Sequence, residues 1–187
     1  MSLRYVKRRS VFVAGTALLG ATVVVLDLGV RLKIPFPLLA FLRFDVLGIP
    51  MMLSYFLFGF LSGAITSLVA WLSISSRDSF SGFMKFAAEF STIIGVYIVL
   101  RARSPSNVRW KVFAMVSGVL MRVIVMAVAN IMLLPIFMPA FYKTYDAVIA
   151  LIPLISLFNA IQGAVSVFGG FLLYEGVVLR LPSLKHE

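Results

Sequence analysis

The sequence has no cysteine, a single histidine (His186) and only seven acidic residues among 187. Without thiols there is no disulfide framework, no iron–sulfur cluster and no cysteine nucleophile. One histidine in a polar tail leaves almost nothing from which to build imidazole catalysis or a metal cage. No HExxH, GxSxG or GxxxxGK run is present, so zinc-protease, serine-hydrolase and phosphate-loop signatures are all missing. An enzyme is not expected. Charge is scarce as well, at 13% of residues, against about 25% in an ordinary soluble domain.

Apolar residues fill that space. They make up 61% of the chain, and the mean hydropathy is +1.06. This composition predicts an all-α membrane protein made of a single domain spanning residues 1–187 in a lipid bilayer. The net charge of +10 raises nucleic acid as a partner. However, the basic residues sit at the ends of apolar runs, where the excess of Lys and Arg on cytoplasmic loops explains them.

The charges also settle the helix count. Helix 1 is expected over Ser10–Val30, retained rather than cleaved, with Arg4, Lys7, Arg8 and Arg9 anchoring its cytoplasmic end. Asp27 and Arg31 stand one turn apart and read as a solvated ion pair. The apolar segment from about Ile49 to Ser75 is long for one span and short for two. Read as a hairpin turning near Gly59–Gly63, it keeps Arg101, Arg103, Arg109 and Lys111 on the same side as the N-terminus. Helices 4, 5 and 6 follow over roughly Phe83–Leu100, Val108–Leu134 and Ala147–Leu181, with a kink possible at Pro153. The expected protein has six transmembrane helices and both termini in the cytoplasm. Between helices 1 and 2 lies Lys33–Pro50, KIPFPLLAFLRFDVLGIP, with three prolines and a charged Arg43–Asp45 pair. Irregular backbone of this kind is tolerated among membrane helices only where it is buried or lines a cavity, so the stretch reads as a lid.

Polar groups inside the apolar spans carry the rest, since each costs free energy unless paired or used. On helix 6, Asn159, Gln162, Gly163, Ser166 and Gly170 fall near one face, flanked by Phe158 and Phe168. Helix 5 contributes Asn130. These amides either join helices by hydrogen bonds or match a neutral ligand whose edge alternates C=O and N–H. Tyr55, Trp71 and Phe158 are candidates to cover the faces of such a ring. Arg122 and Glu89 lie at similar depth, which allows them to pair, with Lys85 competing for Glu89 one turn away. Ala14, Ala17 and Ala21 form a small-residue stripe on helix 1, suited either to packing within the monomer or to a partner helix.

The run KIPFPLLAFLRFDVLGIP, the LFGFLSG of Leu57–Gly63, the MRVIVMAVAN holding Arg122 and Asn130, and the FNAIQG of Phe158–Gly163 resemble the riboflavin-specific S components of energy-coupling factor (ECF) transporters. The resemblance extends over nearly the whole chain. It implies six helices around a vitamin site near the outer face, covered by the loop after helix 1. It also implies a prokaryotic cell membrane, and assembly with a transmembrane coupling subunit and two ATPase subunits. Isoalloxazine contacts are implied at Asn130 and at the Asn-x-x-Lys pair of the family, here Asn159 and Gln162. Gln162 keeps hydrogen-bonding capacity at the lysine position but not its charge. With Phe44, Asp45, Phe158 and Glu89 these form the candidate substrate-binding set, Asp45 serving first to shape the loop and cap the helix after it. The Ala14, Ala17 and Ala21 stripe is similar to the family's docking face for the coupling subunit. Riboflavin is then a transported ligand and no cofactor is implied.

Overall fold

Gly59 decides how the middle of the chain folds. In the computed structural model, which describes residues 3–30, 33–102, 108–137, 139 and 144–181, it has φ of 88° and divides one apolar run into α2 (Gly48–Phe58) and α3 (Phe60–Ser75). A side chain is rarely accommodated in that left-handed region, and glycine enters it freely. The two helices fold back on each other, with Met51 of α2 against Ala70 and Ile74 of α3. Around them stand α1 (Leu3–Val25), α4 (Ser79–Ala102), α5 (Val108–Phe137) and α6 (Tyr145–Arg180).

The element boundaries depart from expectation where caps intervene. α4 starts at Ser79 because Asp78 accepts hydrogen bonds from the Ser81 amide and hydroxyl, satisfying the first turn. Those bonds, that of the hydroxyl above all, hold the Asp78 carboxyl below its ordinary range. The stability they add is therefore present above the unfolded carboxylate value and lost as pH falls through the lower folded one. α6 starts at Tyr145, capped by Thr144, and remains one helix through Pro153. α5 continues past Pro135 to Phe137. α1 begins earlier than expected, at Leu3, and ends in a π-helical turn, Leu26–Val30. Residues 138 and 140–143 of the Pro135–Asp146 loop, residues 103–107 of the Arg101–Asn107 loop, Arg31 and the His186 tail lie outside the described residues.

The all-α expectation needs one correction. The stretch after helix 1 forms a small antiparallel hairpin, β1 (Ile34–Phe36) and β2 (Leu39–Phe44), turning at Pro37–Leu38. Phe36 and Phe44 pack edge to face, 5.6 Å apart, and both meet Phe158 of α6. Leu39 and Leu42 rest on the Leu134, Val148 and Ile155 cluster of α5 and α6.

α5 shows what solvent the fold is built for. Val108, Val112, Val116, Leu120, Ile124, Val128, Met132 and Ile136 form an exposed row at four-residue spacing. The opposite row, Ala114, Gly118, Arg122, Met126, Asn130 and Leu134, is buried. Apolar groups outside and polar or small ones inside is the arrangement for lipid. Among the described residues, four helical stretches are long and apolar enough to cross a membrane: Arg9–Val30, Ser79–Ala102, Val108–Phe137 and Tyr145–Arg180. α2 and α3 are shorter, at about 16 and 24 Å, against a hydrocarbon core of about 30 Å. The protein is embedded in a membrane and crosses it several times.

Helices in such a bundle are joined by close approach and by interhelical hydrogen bonds. Thr16, Ser62 and Ser54 form a hydroxyl chain through α1, α3 and α2, each contact 2.6 Å long. α4 crosses α5 where a Cβ on Gly118 would lie 2.9 Å from the Thr92 carbonyl, and one on Gly95 2.6 Å from the Ser117 carbonyl. Gly118→Leu is expected to destabilise the protein by at least the roughly 1–3 kcal/mol typical of overpacking. Gly176→Ala, where nothing lies within 4 Å of the new Cβ, should leave thermal unfolding in detergent unchanged or slightly raised.

Candidate functional site

Ionic, amide and hydroxyl groups meet at the end of the bundle beneath the hairpin. Glu89 of α4 is fully buried and receives both Arg122 of α5, at 2.8 Å, and Lys85, at 2.9 Å, on the same oxygen, Oε1. Ser166 of α6 also donates to Oε1, at 3.3 Å. The other oxygen, Oε2, has no hydrogen-bond partner among the described residues and faces Gly48, where an added Cβ would lie 2.7 Å from it. A side chain there would also fall 1.9 Å from Ser166 Oγ, so α2 can begin at this place only as glycine.

The network reaches outward in two directions. Arg122 Nε donates to Asn159 Oδ1 at 3.3 Å, and Asn159 Nδ2 donates to the Ile155 carbonyl. Lys85 Nζ lies 2.7 Å from Asp45 Oδ1, at the end of the hairpin. Asp45 does not cap α2 as expected; its Oδ1 accepts from the Leu47 amide and tightens the turn before the helix. Gln162 holds the same residue by its backbone: Asp45 N–H donates to Gln162 Oε1 at 3.2 Å, and Gln162 Nε2 donates to the Asp45 carbonyl at 2.8 Å.

A second cluster fixes the hairpin's other end. Asp27, in the π turn, is fully buried and is bonded by Ser73 at 2.8 Å, by Arg77, and by Lys33 at 3.5 Å. The solvated reading of Asp27 is therefore corrected: Asp27 is buried and faces α3 and the α3–α4 turn, while Arg31 lies outside the described residues.

Between these clusters lies a cavity of about 800 Å³. Ligand sites usually occupy about 300–1,000 Å³. Of the expected residues, Asn130, Asn159, Gln162, Phe158 and Asp45 line it. Phe44 and Glu89 do not. Phe44 lies on the other side of the hairpin with Phe36, and Glu89 lies behind Lys85 and Arg122. Tyr55 and Trp71 are also elsewhere, Tyr55 in the apolar core and Trp71 stacked on Phe86. Lys33, Arg77, Met84, Phe80 and Met126 line the cavity without having been expected there. The four-residue spacing of Arg122, Met126, Asn130 and Leu134 was the available signal, since it puts all four on one face.

The amides differ in how far they are committed. Asn130 Nδ2 donates to the Met126 carbonyl at 2.7 Å, and its Oδ1 has no protein partner among the described residues. Asn159 retains one N–H and one lone pair beyond its two bonds. Gln162 spends both ends of its amide on Asp45.

No protein-family model matches the sequence, and no curated protein matches it. Among solved structures, the S component of a bacterial ECF transporter superposes with a TM-score of 0.77 at 25% identity, covering 92% of this chain and 98% of that one. The chain has an ECF S-component-like fold. The similarity supports a substrate-binding component of such transporters.

Removing one member of a buried ion network leaves the others uncompensated, at a cost of about 3–5 kcal/mol. Arg122→Met should destabilise the protein by that order, measured as thermal unfolding in detergent. Combining it with Glu89→Gln should recover much of the loss. Equal stability of Arg122→Met and wild type would show that the pair bears no load.

Proposed function

We propose that the chain is the substrate-binding component of an ECF-type transporter and captures riboflavin, or a closely related flavin, in the cavity beneath the hairpin. The match of fold to a bacterial ECF S component over 92% of the chain supports the transport role. The flavin rests on the resemblance of the Phe158–Gly163 and Met121–Asn130 segments and on the chemistry of the cavity.

That chemistry suits a ligand without strong charge. The acids Asp27, Asp45, Asp78 and Glu89 stand against the cations Lys33, Arg77, Lys85 and Arg122, and Arg43, exposed on the hairpin, adds one further cation to the lining. The open Oδ1 of Asn130 and the spare donor and acceptor of Asn159 complement a ring edge that alternates N–H and C=O. Phe158, beside Asn159, offers a ring face.

In this reading the hairpin is a lid, the cavity faces outward and both termini face the cytoplasm. The bundle ends remote from the cavity carry Arg9, Arg101, Arg109, Lys111 and Arg180, in keeping with a cytoplasmic side. Ala14, Ala17 and Ala21 are exposed on α1, whereas Thr16, Gly20 and Val23 turn inward. An exposed stripe of small residues gives a transmembrane coupling subunit a smooth surface to slide against. ATP would be hydrolysed by two partner ATPase subunits, since this chain has no phosphate loop.

The purified protein is expected to quench riboflavin fluorescence at submicromolar concentration. Asn130→Leu should weaken binding by about tenfold or more, equivalent to about 1.4 kcal/mol. Quenching absent for riboflavin but ligand-induced stabilisation present with another neutral vitamin would replace the ligand and keep the role. Ala17→Trp should spare binding and impair uptake by the assembled transporter; normal uptake would remove the docking face.

A further inference from the structure

The hairpin is held by different chemistry at its two ends. Its foot is pinned by directional polar bonds. Asp45 alone donates its N–H to Gln162 Oε1, accepts from Gln162 Nε2 on its carbonyl, pairs with Lys85 and accepts from Leu47 N–H. Gln162 is 1% exposed and Leu47 2%, and the next residue, Gly48, has no room for a side chain. The backbone around Asp45 is therefore fixed to α4 and α6 together. At the opposite foot, Lys33 is tied to the buried Asp27. The tip is seated by apolar contact, Leu39 and Leu42 on the ends of α5 and α6 and Phe36 on Phe158, with Leu38 exposed at the turn.

Foot and tip are also separate in the strand ladder. Ile34 pairs with Phe44 and Pro35 with Arg43, but the next pair is Phe36 with Leu39. Residues 40–42 of β2 thus bulge between the two halves with no residue of β1 opposite them. A bulge bends its strand and interrupts pairing. Apolar contacts have no preferred direction and can be reseated, whereas the paired amide of Gln162 fits one backbone position.

We propose that Gln162 and Lys85 are positioning residues that hold Asp45 as the fixed foot of the hairpin, so that the hairpin opens at its tip about the 40–42 bulge. Gln162 serves the hairpin and not a ring edge: its carbonyl and one N–H stay on the Asp45 backbone whether the tip is raised or lowered. Recognition then falls to Asn130 and Asn159. The inference that opening admits a ligand rests on the proposed transport role; the fixed foot does not.

Amide exchange of the ligand-free, full-length protein in detergent tests this directly. The chain contains four aspartates, so selective [15N]aspartate labelling resolves the Asp45 amide. In wild type, Asp45 N–H should exchange at least tenfold more slowly than the backbone of residues 37–40, followed by mass spectrometry. Gln162→Met, of similar length but without the amide, should raise Asp45 exchange at least tenfold while leaving unfolding cooperative. A foot that exchanges as fast as the tip in wild type would overturn the proposal, and that comparison needs no variant. So would unchanged Asp45 exchange in a folded Gln162→Met protein. With riboflavin added, the variant should release the flavin several-fold faster with an unshifted absorption band. A shifted band would place Gln162 on the ring and contradict the positioning role. Absence of riboflavin binding in wild type would remove the proposed ligand and leave the exchange arms decisive.

Discussion

One buried carboxylate sets the terms for the rest of the molecule. Glu89 stands inside a bundle whose exterior is lipid-facing, where an ion without partners is too costly to keep. Lys85 and Arg122 neutralise it on a single oxygen, and Ser166 adds a third donor. To make those bonds α4, α5 and α6 must stand in one mutual register. The start of α2 must also be a glycine, because Oε2 and Ser166 occupy the space a Cβ needs. Lys85 then carries the constraint to Asp45, and through it to the hairpin. The charge that makes the interior expensive is also what ties a surface loop to three helices.

The cavity follows from this arrangement. A bundle bound for lipid gains little from bringing apolar faces together, so its helices meet through glycines, hydroxyls and amides. The glycines of α4 and α5 close one crossing to backbone contact, and the Thr16–Ser62–Ser54 chain closes another. Toward the hairpin the inward residues become larger and polar, and the helices enclose a cavity of about 800 Å³. Its acids each stand beside a cation, Arg43 adds one further cation to the lining, and its amides are unequally committed. That leaves Asn130 and Asn159 with hydrogen-bonding capacity and directs Gln162 toward the hairpin.

Much of the helical framework was legible because lipid imposes simple rules. Apolar length, basic ends and glycine at position 59 mark the helices, and the buried face of α6 follows from the spacing of Asn159, Gln162, Ser166 and Gly170. The Arg122–Glu89 contact was legible as two opposite charges at matching depth. The hairpin was not, because three prolines and a bulge give no two-residue alternation to read. Asp27 was misread since its partners, Ser73 and Arg77, are about fifty residues away and are brought near by the α2–α3 fold. Gln162 reads as a ligand contact from its position and does line the cavity, but an amide also matches a peptide backbone, and only the fold shows that Asp45 lies within its reach. Phe44 and Trp71 show the same limit: aromatic content does not say which side of an element faces the cavity.

The proposed binding site is the cavity between Asn130, Asn159 and Phe158, with the hairpin closing over it. Its most direct test is an experimental structure of the protein saturated with riboflavin. The ring system is expected inside that cavity, its polar edge on Asn130 and Asn159, with Gln162 still bonded to the Asp45 backbone. A cavity left empty, with flavin bound elsewhere or not at all, would contradict it.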